Sequence, residues 1–434
     1  MTASESTPTP SKTPTGSNPS ASSAPSAESD SKLPSVDPYP NTLFDILISP
    51  PLEKLGLYNP PDPTYGRYLL PNSGDEKELE EGSVRMGMRR VFLRDGKAIF
   101  SSSGPIINDQ PGAKGGNGKG EDKDGNGGGV RGEDVKLDES ELKNLGEGGR
   151  SREWVFYKMW QRGVWNRCDV VCIHGMNDYG GKWVLHLNRM LDAGYRIIAP
   201  DLPSHGRSTG LHVHLTSADQ LSDAVHAVLL DLAGGSSKPD KVFLVGSSLG
   251  AFTALSYCLR YPIHPSIPLS GVYAIAPLIG VAPESLPNIF TRSAARILQF
   301  FVGRLPLSPA IRGNVSDDPR VEEDFFSDPR TYHGNLRIST GLSLLTGLTH
   351  LSTSAPSFRT PLRLLHGSRD RVTSPSSSQK FIKECGTEGE EKSIGVWEGY
   401  EHVMMRVGRV EGEGDDRGRE RVLEDMVGWL EGRK

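Results

Sequence analysis

From residue 153 onward the chain alternates short apolar runs with longer amphipathic stretches. The apolar runs are EWVFYKMW, DVVCIHG, YRIIAPD, KVFLVGSS, GVYAIAP, PLRLLHGS and SIGVWEG. Several are apolar at every position, the pattern a strand needs when both faces of its sheet are covered. The stretches between them carry apolar residues at helical spacing. Over 216–232 these are Leu221, Val225, Val228 and Leu229; near 418–431 they are Val422, Leu423, Met426, Val427 and Leu430. Alternating strands and helices predict an α/β fold, a mostly parallel central sheet with helices on both faces. In such sheets chemistry collects in the loops at the carboxyl ends of strands.

The pattern upstream is different. Residues 84–103 read as a hairpin, with Arg94, Asp95 and Gly96 as the turn between RVFL and AIF. Residues 41–83 form a strap whose Leu43, Phe44, Ile46, Leu47 and Ile48 are expected to pack on the main domain, 84–434. Pro50 and Pro51 are expected to interrupt any helix there. Residues 1–40 are Ser, Thr and Pro with almost no large apolar side chains. Such a tail cannot offset its ordering entropy by burial and reads as disordered. Residues 104–150 are dense in Gly, Asn, Lys and Asp and read as a flexible insert.

Composition narrows the classes. Apolar content is 35 % over 434 residues, as expected if part of the chain builds no core. With 49 basic and 54 acidic residues, net charge is −5, and no basic patch marks a nucleic-acid partner. Cys168 and Cys172 lie four apart in one strand, too far to bridge and at neither a zinc nor a redox spacing. Buried reduced thiols fit a cytoplasmic protein. No apolar run approaches the length of about 18 residues that spans a membrane, and no signal or transit peptide is evident.

The insert contains DKDGNGGGVRGE, in which Asp122, Asp124, Asn126, Gly127 and Glu133 match a calcium-loop pattern. Upstream lies QPGAKGGNGKGE, which cannot hold the required helix, so the match reads as chance. A calcium-responsive scaffold is the non-enzymatic alternative. His212 and His214 have no carboxylate or cysteine set to complete a metal site, and no metal is expected.

VFLVGSSLGAF carries two adjacent serines, Ser247 and Ser248. A strand that turns sharply into a helix exposes one side chain, and the residues two before and two after it must be small. Gly246 and Gly250 flank Ser248 in this way, whereas Val245 and Leu249 flank Ser247. Ser248 is therefore the candidate nucleophile. A serine hydroxyl needs a base, and the base needs an orienting carboxylate. Asp370 and His402 follow in chain order, each just past a predicted strand. His366 leaves the same strand as Asp370 and is poorly placed to bridge acid and serine; His205 reads as a loop-stabilising residue. The backbone N–H groups of Met176, in HGM, and Leu249 are the candidate oxyanion donors.

With these residues in hand, the chain from about 150 to 434 resembles the α/β-hydrolases of the monoacylglycerol lipase and lysophospholipase group. IHGMNDYGGKW, APDLPSHGRSTG, LVGSSLGA, LLHGSRDRVTSP and EGYEHVMM carry the resemblance. It implies an α/β-hydrolase fold with a helical cap, or lid, over 278–357. There Phe290, Ala294, Ile297 and Phe301 share a helical stripe, and Ile289, Leu298, Phe300 and Val302 make the segment apolar nearly all round. It implies a serine hydrolase that cleaves carboxylic esters through an acyl-enzyme with no cofactor. Monoacylglycerol or lysophospholipid-type lipid esters are the leading substrates. The alternative is a hydrolase, acyltransferase or peptidase acting on a small soluble metabolite. An apolar cap also suits peripheral contact with membranes or lipid droplets.

Overall fold

The computed structural model describes residues 42–58, 60, 62–82, 84–94, 97–101, 153–235, 237–281, 289–309, 315–406 and 418–434. The expected tail over 1–40, the insert over 104–150 and its calcium-like pattern lie outside the described residues.

Ahead of the sheet lie two short helices, α1 (Ser49–Lys54) and α2 (Gly74–Glu81). Then come β1 (Val84–Arg94), β2 (Lys97–Ser101), β3 (Glu153–Arg162), β4 (Cys168–Ile173), α3 (Asn188–Asp192) and β5 (Arg196–Pro200). They are followed by α4 (Asp219–Gly234), β6 (Lys241–Ser247), α5 (Leu249–Arg260) and β7 (Leu269–Ile275). The interval after β7 holds α6 (Ile289–Val302), β8 (Pro306–Pro309), α7 (Pro319–Ser327), β9 (Asn335–Arg337) and α8 (Ile338–Ser354). The chain closes with β10 (Leu362–Gly367), α9 (Pro375–Glu384), β11 (Lys392–Trp397) and α10 (Arg419–Glu431).

Among the described residues, nine strands form one sheet in the order β11-β10-β7-β6-β4-β5-β3-β1-β2. The six strands from β11 to β5 are mutually parallel, and β3, β1 and β2 complete the sheet through antiparallel pairings, with β1 between the other two. The all-apolar strands sit in the parallel part, because helices there cover both faces. Alternate residues divide between two cores. Val171 and Ile173 of β4, with Val242 and Leu244 of β6, pack among α4, α5 and α8. Cys168, Val170 and Cys172, with Phe243 and Val245, pack on the opposite face against Met190, Val422, Met426 and Leu430. All four cysteines are buried and free.

Two local expectations fail. Of Leu43, Phe44, Ile46, Leu47 and Ile48, expected to pack on the main domain, only Ile46 is buried. Pro50 and Pro51 do not interrupt the helical segment: a single wide turn, Phe44–Ile48, runs directly into α1. Both prolines fall in the first turn of α1, where a backbone N–H has no intrahelical partner to lose. This segment is tied to the interval after β7 by Arg304, which bonds the Glu53 carboxylate and the Ser49 hydroxyl.

Candidate active site

Ser248 stands between the last residue of β6 and the first of α5, with φ 53° and ψ −112°. A non-glycine residue rarely adopts this conformation, and only over-determined surroundings hold it. The surroundings here are two close backbone approaches. A Cβ on Gly246 would lie 2.4 Å from the Gly250 carbonyl group, and one on Gly250 would lie 2.0 Å from the Ile173 carbonyl oxygen. Strand β6, helix α5 and the end of β4 thus meet without side chains between them. The Ser248 N–H is fixed by the Ile275 carbonyl at 2.9 Å.

The loops after β10 and β11 bring the acid and the histidine to this serine. Gly367 makes their approach possible, since a Cβ there would lie 2.3 Å from the Tyr400 carbonyl oxygen. His402 Nε2 lies 3.1 Å from Ser248 Oγ, and His402 Nδ1 lies 2.8 Å from Asp370 Oδ2. The three candidates from the sequence therefore form one hydrogen-bonded chain. Burial pushes the Asp370 carboxyl upward, but the imidazoles of His402 and His366 outweigh it and hold the group well below the usual carboxylate range. Its Oδ1 accepts the Val372 and Thr373 N–H groups at 2.8 and 2.9 Å. Asp370 is thereby kept ionised and immobile, as an orienting carboxylate must be.

Two partners of Asp370 were not read from the sequence. Thr373 Oγ1 donates to Oδ2 at 2.7 Å, and His366 Nε2 lies 3.1 Å from the same oxygen. His366 is not a rival base but a second donor to the acid, held from behind by the Ser378 hydroxyl at 2.9 Å. The signal was the four-residue spacing from His366 to Asp370, which folds back because Asp370 sits in the turn beyond β10. Glu401 faces away from the serine, accepting from Ser316 Oγ and the Asp317 N–H. His205 is buried, with Nδ1 2.9 Å from the Pro203 carbonyl.

The loop after β4 carries Met176. Gly175 lies against the serine: a Cβ built on it would be 3.7 Å from Ser248 Cβ. His174 fixes this peptide. Its Nε2 accepts the Leu202 N–H at 2.9 Å, which places its proton on Nδ1, 2.7 Å from the Gly175 carbonyl oxygen. Burial, with His205 nearby, holds the His174 imidazole well below its ordinary range, so it stays neutral in this tautomer. The Gly175 carbonyl and the Met176 N–H belong to one planar peptide, so tethering the oxygen aims the N–H the opposite way. Leu249 contributes the amide directly after Ser248, at the N-terminus of α5. Among the described residues, no group of three or more His, Cys, Asp or Glu is arranged to hold a metal ion.

Asp178, in the same loop, is pushed up to about 7 by burial, with Asp328 adding to the effect against Lys182 and Arg330. The folded chain then binds a proton there that the unfolded chain has released above about pH 4. This contribution to stability is present in acid and is lost as pH rises through 7. Asp178→Asn should therefore resist urea better than the wild type, by a clearly wider margin at about pH 8 than at about pH 5. A wild-type urea midpoint that follows the variant's at both pH values would count against a raised Asp178.

The family model Hydrolase_4, described as serine aminopeptidase, S33, matches residues 166–406. The chain belongs to the Hydrolase_4 family. Relatives of this hydrolase include the monoacylglycerol lipase of Mycolicibacterium smegmatis, 24 % identical over 64 % of this chain and 92 % of that protein. The human monoglyceride lipase is 24 % identical over 58 % of this chain and 81 % of its own. Among solved structures, the Saccharomyces cerevisiae monoglyceride lipase, a soluble variant in complex with a substrate analogue, aligns with TM-score 0.55. That alignment has 20 % identity and covers 66 % of this chain and 94 % of that one. The likeness bears on the fold, which is that of the α/β-hydrolases.

Proposed function

We propose that this Hydrolase_4 member is a serine hydrolase that cleaves carboxylic esters through an acyl-enzyme. The hydrogen-bonded chain from Ser248 through His402 to Asp370, set on a strained elbow, carries the reading. Ser248 Oγ attacks the ester carbonyl while His402 Nε2 takes its proton. Asp370 holds the imidazole by Nδ1 and stabilises its charged form. The Met176 and Leu249 N–H groups receive the oxyanion. His402 then returns the proton to the leaving alcohol, the acyl-enzyme remains, and water activated by His402 releases the acid. No cofactor enters these steps.

The proposed substrates are single-chain lipid esters, monoacylglycerols or lysophospholipids. The printed names of the relatives support this, and so does the surface of the interval after β7, read as a cap. Ile297, Leu298, Phe300 and Phe301 of α6 are exposed, and so are Leu43, Phe44, Leu47 and Ile48 on the neighbouring N-terminal turn. An apolar surface of this kind fits contact with a lipid–water boundary. No helix among the described residues is long and apolar enough to cross a membrane.

A panel of esters of graded acyl length, given to purified protein in solution and in phosphatidylcholine vesicles, tests the reading. Long acyl chains should be hydrolysed faster than acetyl esters, and vesicle-borne substrate should be accepted. A preference for acetyl esters would replace the lipid reading with a small soluble substrate. Cleavage of peptide anilides without ester hydrolysis would replace the reaction class.

A further inference from the structure

Beside the candidate site lies a second set of buried charges, a cluster contributed by distant parts of the chain. Glu76, on the first turn of α2, is 1 % exposed. Its side chain is fixed by a capping box, accepting the Ser73 N–H at 2.8 Å while the Glu76 N–H bonds Ser73 Oγ at 3.1 Å. One carboxylate oxygen accepts from Lys158 Nζ of β3 at 2.7 Å, and the other from Arg330 Nη1. Glu76 and Lys158 lie outside the residues that the family model matches.

Arg330 leads from this cluster to the loop after β4. Its guanidinium lies over the Tyr179 ring, 4.1 Å from the centroid, and Nη2 reaches the Tyr179 hydroxyl. That hydroxyl in turn donates to Asp328 Oδ2 at 2.6 Å. Two residues beyond Arg330, the Tyr332 N–H donates to the Asn177 carbonyl at 2.8 Å. The turn 328–332 therefore grips 177–179 by a backbone bond, a ring face and a hydroxyl. The gripped loop needs holding, because Asn177 has φ 66° directly after Met176.

A buried ion cluster is poor evidence of stability, since desolvation consumes most of its Coulombic gain. Its stronger effect is to fix geometry. Without Glu76, the Lys158 and Arg330 cations would face each other with less compensation, and Arg330 would lose the anchor that keeps it over the Tyr179 ring.

We propose that Glu76 and Arg330 are positioning residues, a clamp by which the N-terminal segment holds the Met176–Tyr179 turn and its oxyanion N–H in place for catalysis. The proposal rests on the ester-hydrolase reading above. It makes the segment before β1 part of the working site rather than a passive strap.

Glu76→Gln, Arg330→Met and Arg330→Lys in the full-length chain test it, with an alkyl boronic acid as a tetrahedral probe of the oxyanion donors. Glu76→Gln and Arg330→Met should lower kcat about tenfold or more, with KM changed far less. Boronate affinity should fall in parallel with kcat/KM. Arg330→Lys, which keeps the charge but not the flat fork, should fall between. Amides of 175–181 should exchange hydrogen faster in both stronger variants. Folded variants with wild-type kcat, boronate affinity and loop exchange overturn the clamp. So does a loss of activity that follows thermal stability alone. If Glu76→Gln does not accumulate, Tyr179→Phe, which keeps the ring and removes the hydroxyl, carries the same readouts. Wild-type protein that neither hydrolyses esters nor binds the boronate would instead sink the hydrolase reading, and the clamp with it.

Discussion

Ser248→Ala should lose ester hydrolysis by at least about 10⁴-fold, while Ser247→Ala keeps most of it. The two side chains are neighbours in sequence but not in role. Ser247 ends β6 in register with Ile275 and continues the strand. Ser248 leaves it with a positive φ, and its Oγ lies within 3.1 Å of His402 Nε2. Only that oxygen has a base to take its proton. Removing it leaves the proposed oxyanion donors and binding surface intact, so a small residual rate over water is expected rather than none. A fluorophosphonate probe should label wild type and Ser247→Ala but not Ser248→Ala. Labelling that survives in Ser248→Ala and disappears in Ser247→Ala would overturn the assignment of the nucleophile.

Gly250→Ala should be the most disruptive small substitution at the site. The added methyl would meet the Ile173 carbonyl oxygen at 2.0 Å and the His174 carbonyl oxygen at 2.7 Å. Both are backbone atoms that cannot rotate aside, so α5 must back away from β4. A shift of that kind costs about 3 kcal/mol of stability. It would also move Ser248 and the Leu249 N–H, which sit at the same end of α5, so the protein that remains folded should turn over poorly. Gly428→Ala is the contrasting case. It lies within α10 with nothing within 4 Å of the added methyl. Alanine there should be neutral or stabilising by up to about 1 kcal/mol. Urea midpoints of the two variants, with ester turnover at matched folded fraction, check both. Equal midpoints would mean that strand and helix are not in contact at the elbow.

Much of the fold could be read locally. A strand buried on both faces is apolar through its middle, and VVCI of β4, VFLV of β6 and VYAI of β7 announce themselves that way. The choice of Ser248 over Ser247 also followed from a short-range steric rule, because the two close contacts that need glycine lie within two residues of it. The prolines of α1 misled the same kind of reading. Their effect depends on where in a helix they fall, and the start of that helix was not marked in the residues around them.

What the sequence by itself determined is the set of elements, the alternation that makes them an α/β sheet, and which serine could occupy a strained turn. These depend on steric and burial preferences acting over a few residues. Tertiary structure alone decided which distant groups share an atom. His366 and His402 meet at one oxygen of Asp370, and Glu76 meets Arg330 across 254 positions of chain. Nothing in the residues around Glu76 or Arg330 marks those two as a pair. A charge on a surface and a charge in a buried cluster look alike until folding removes the water around one of them and leaves the other exposed.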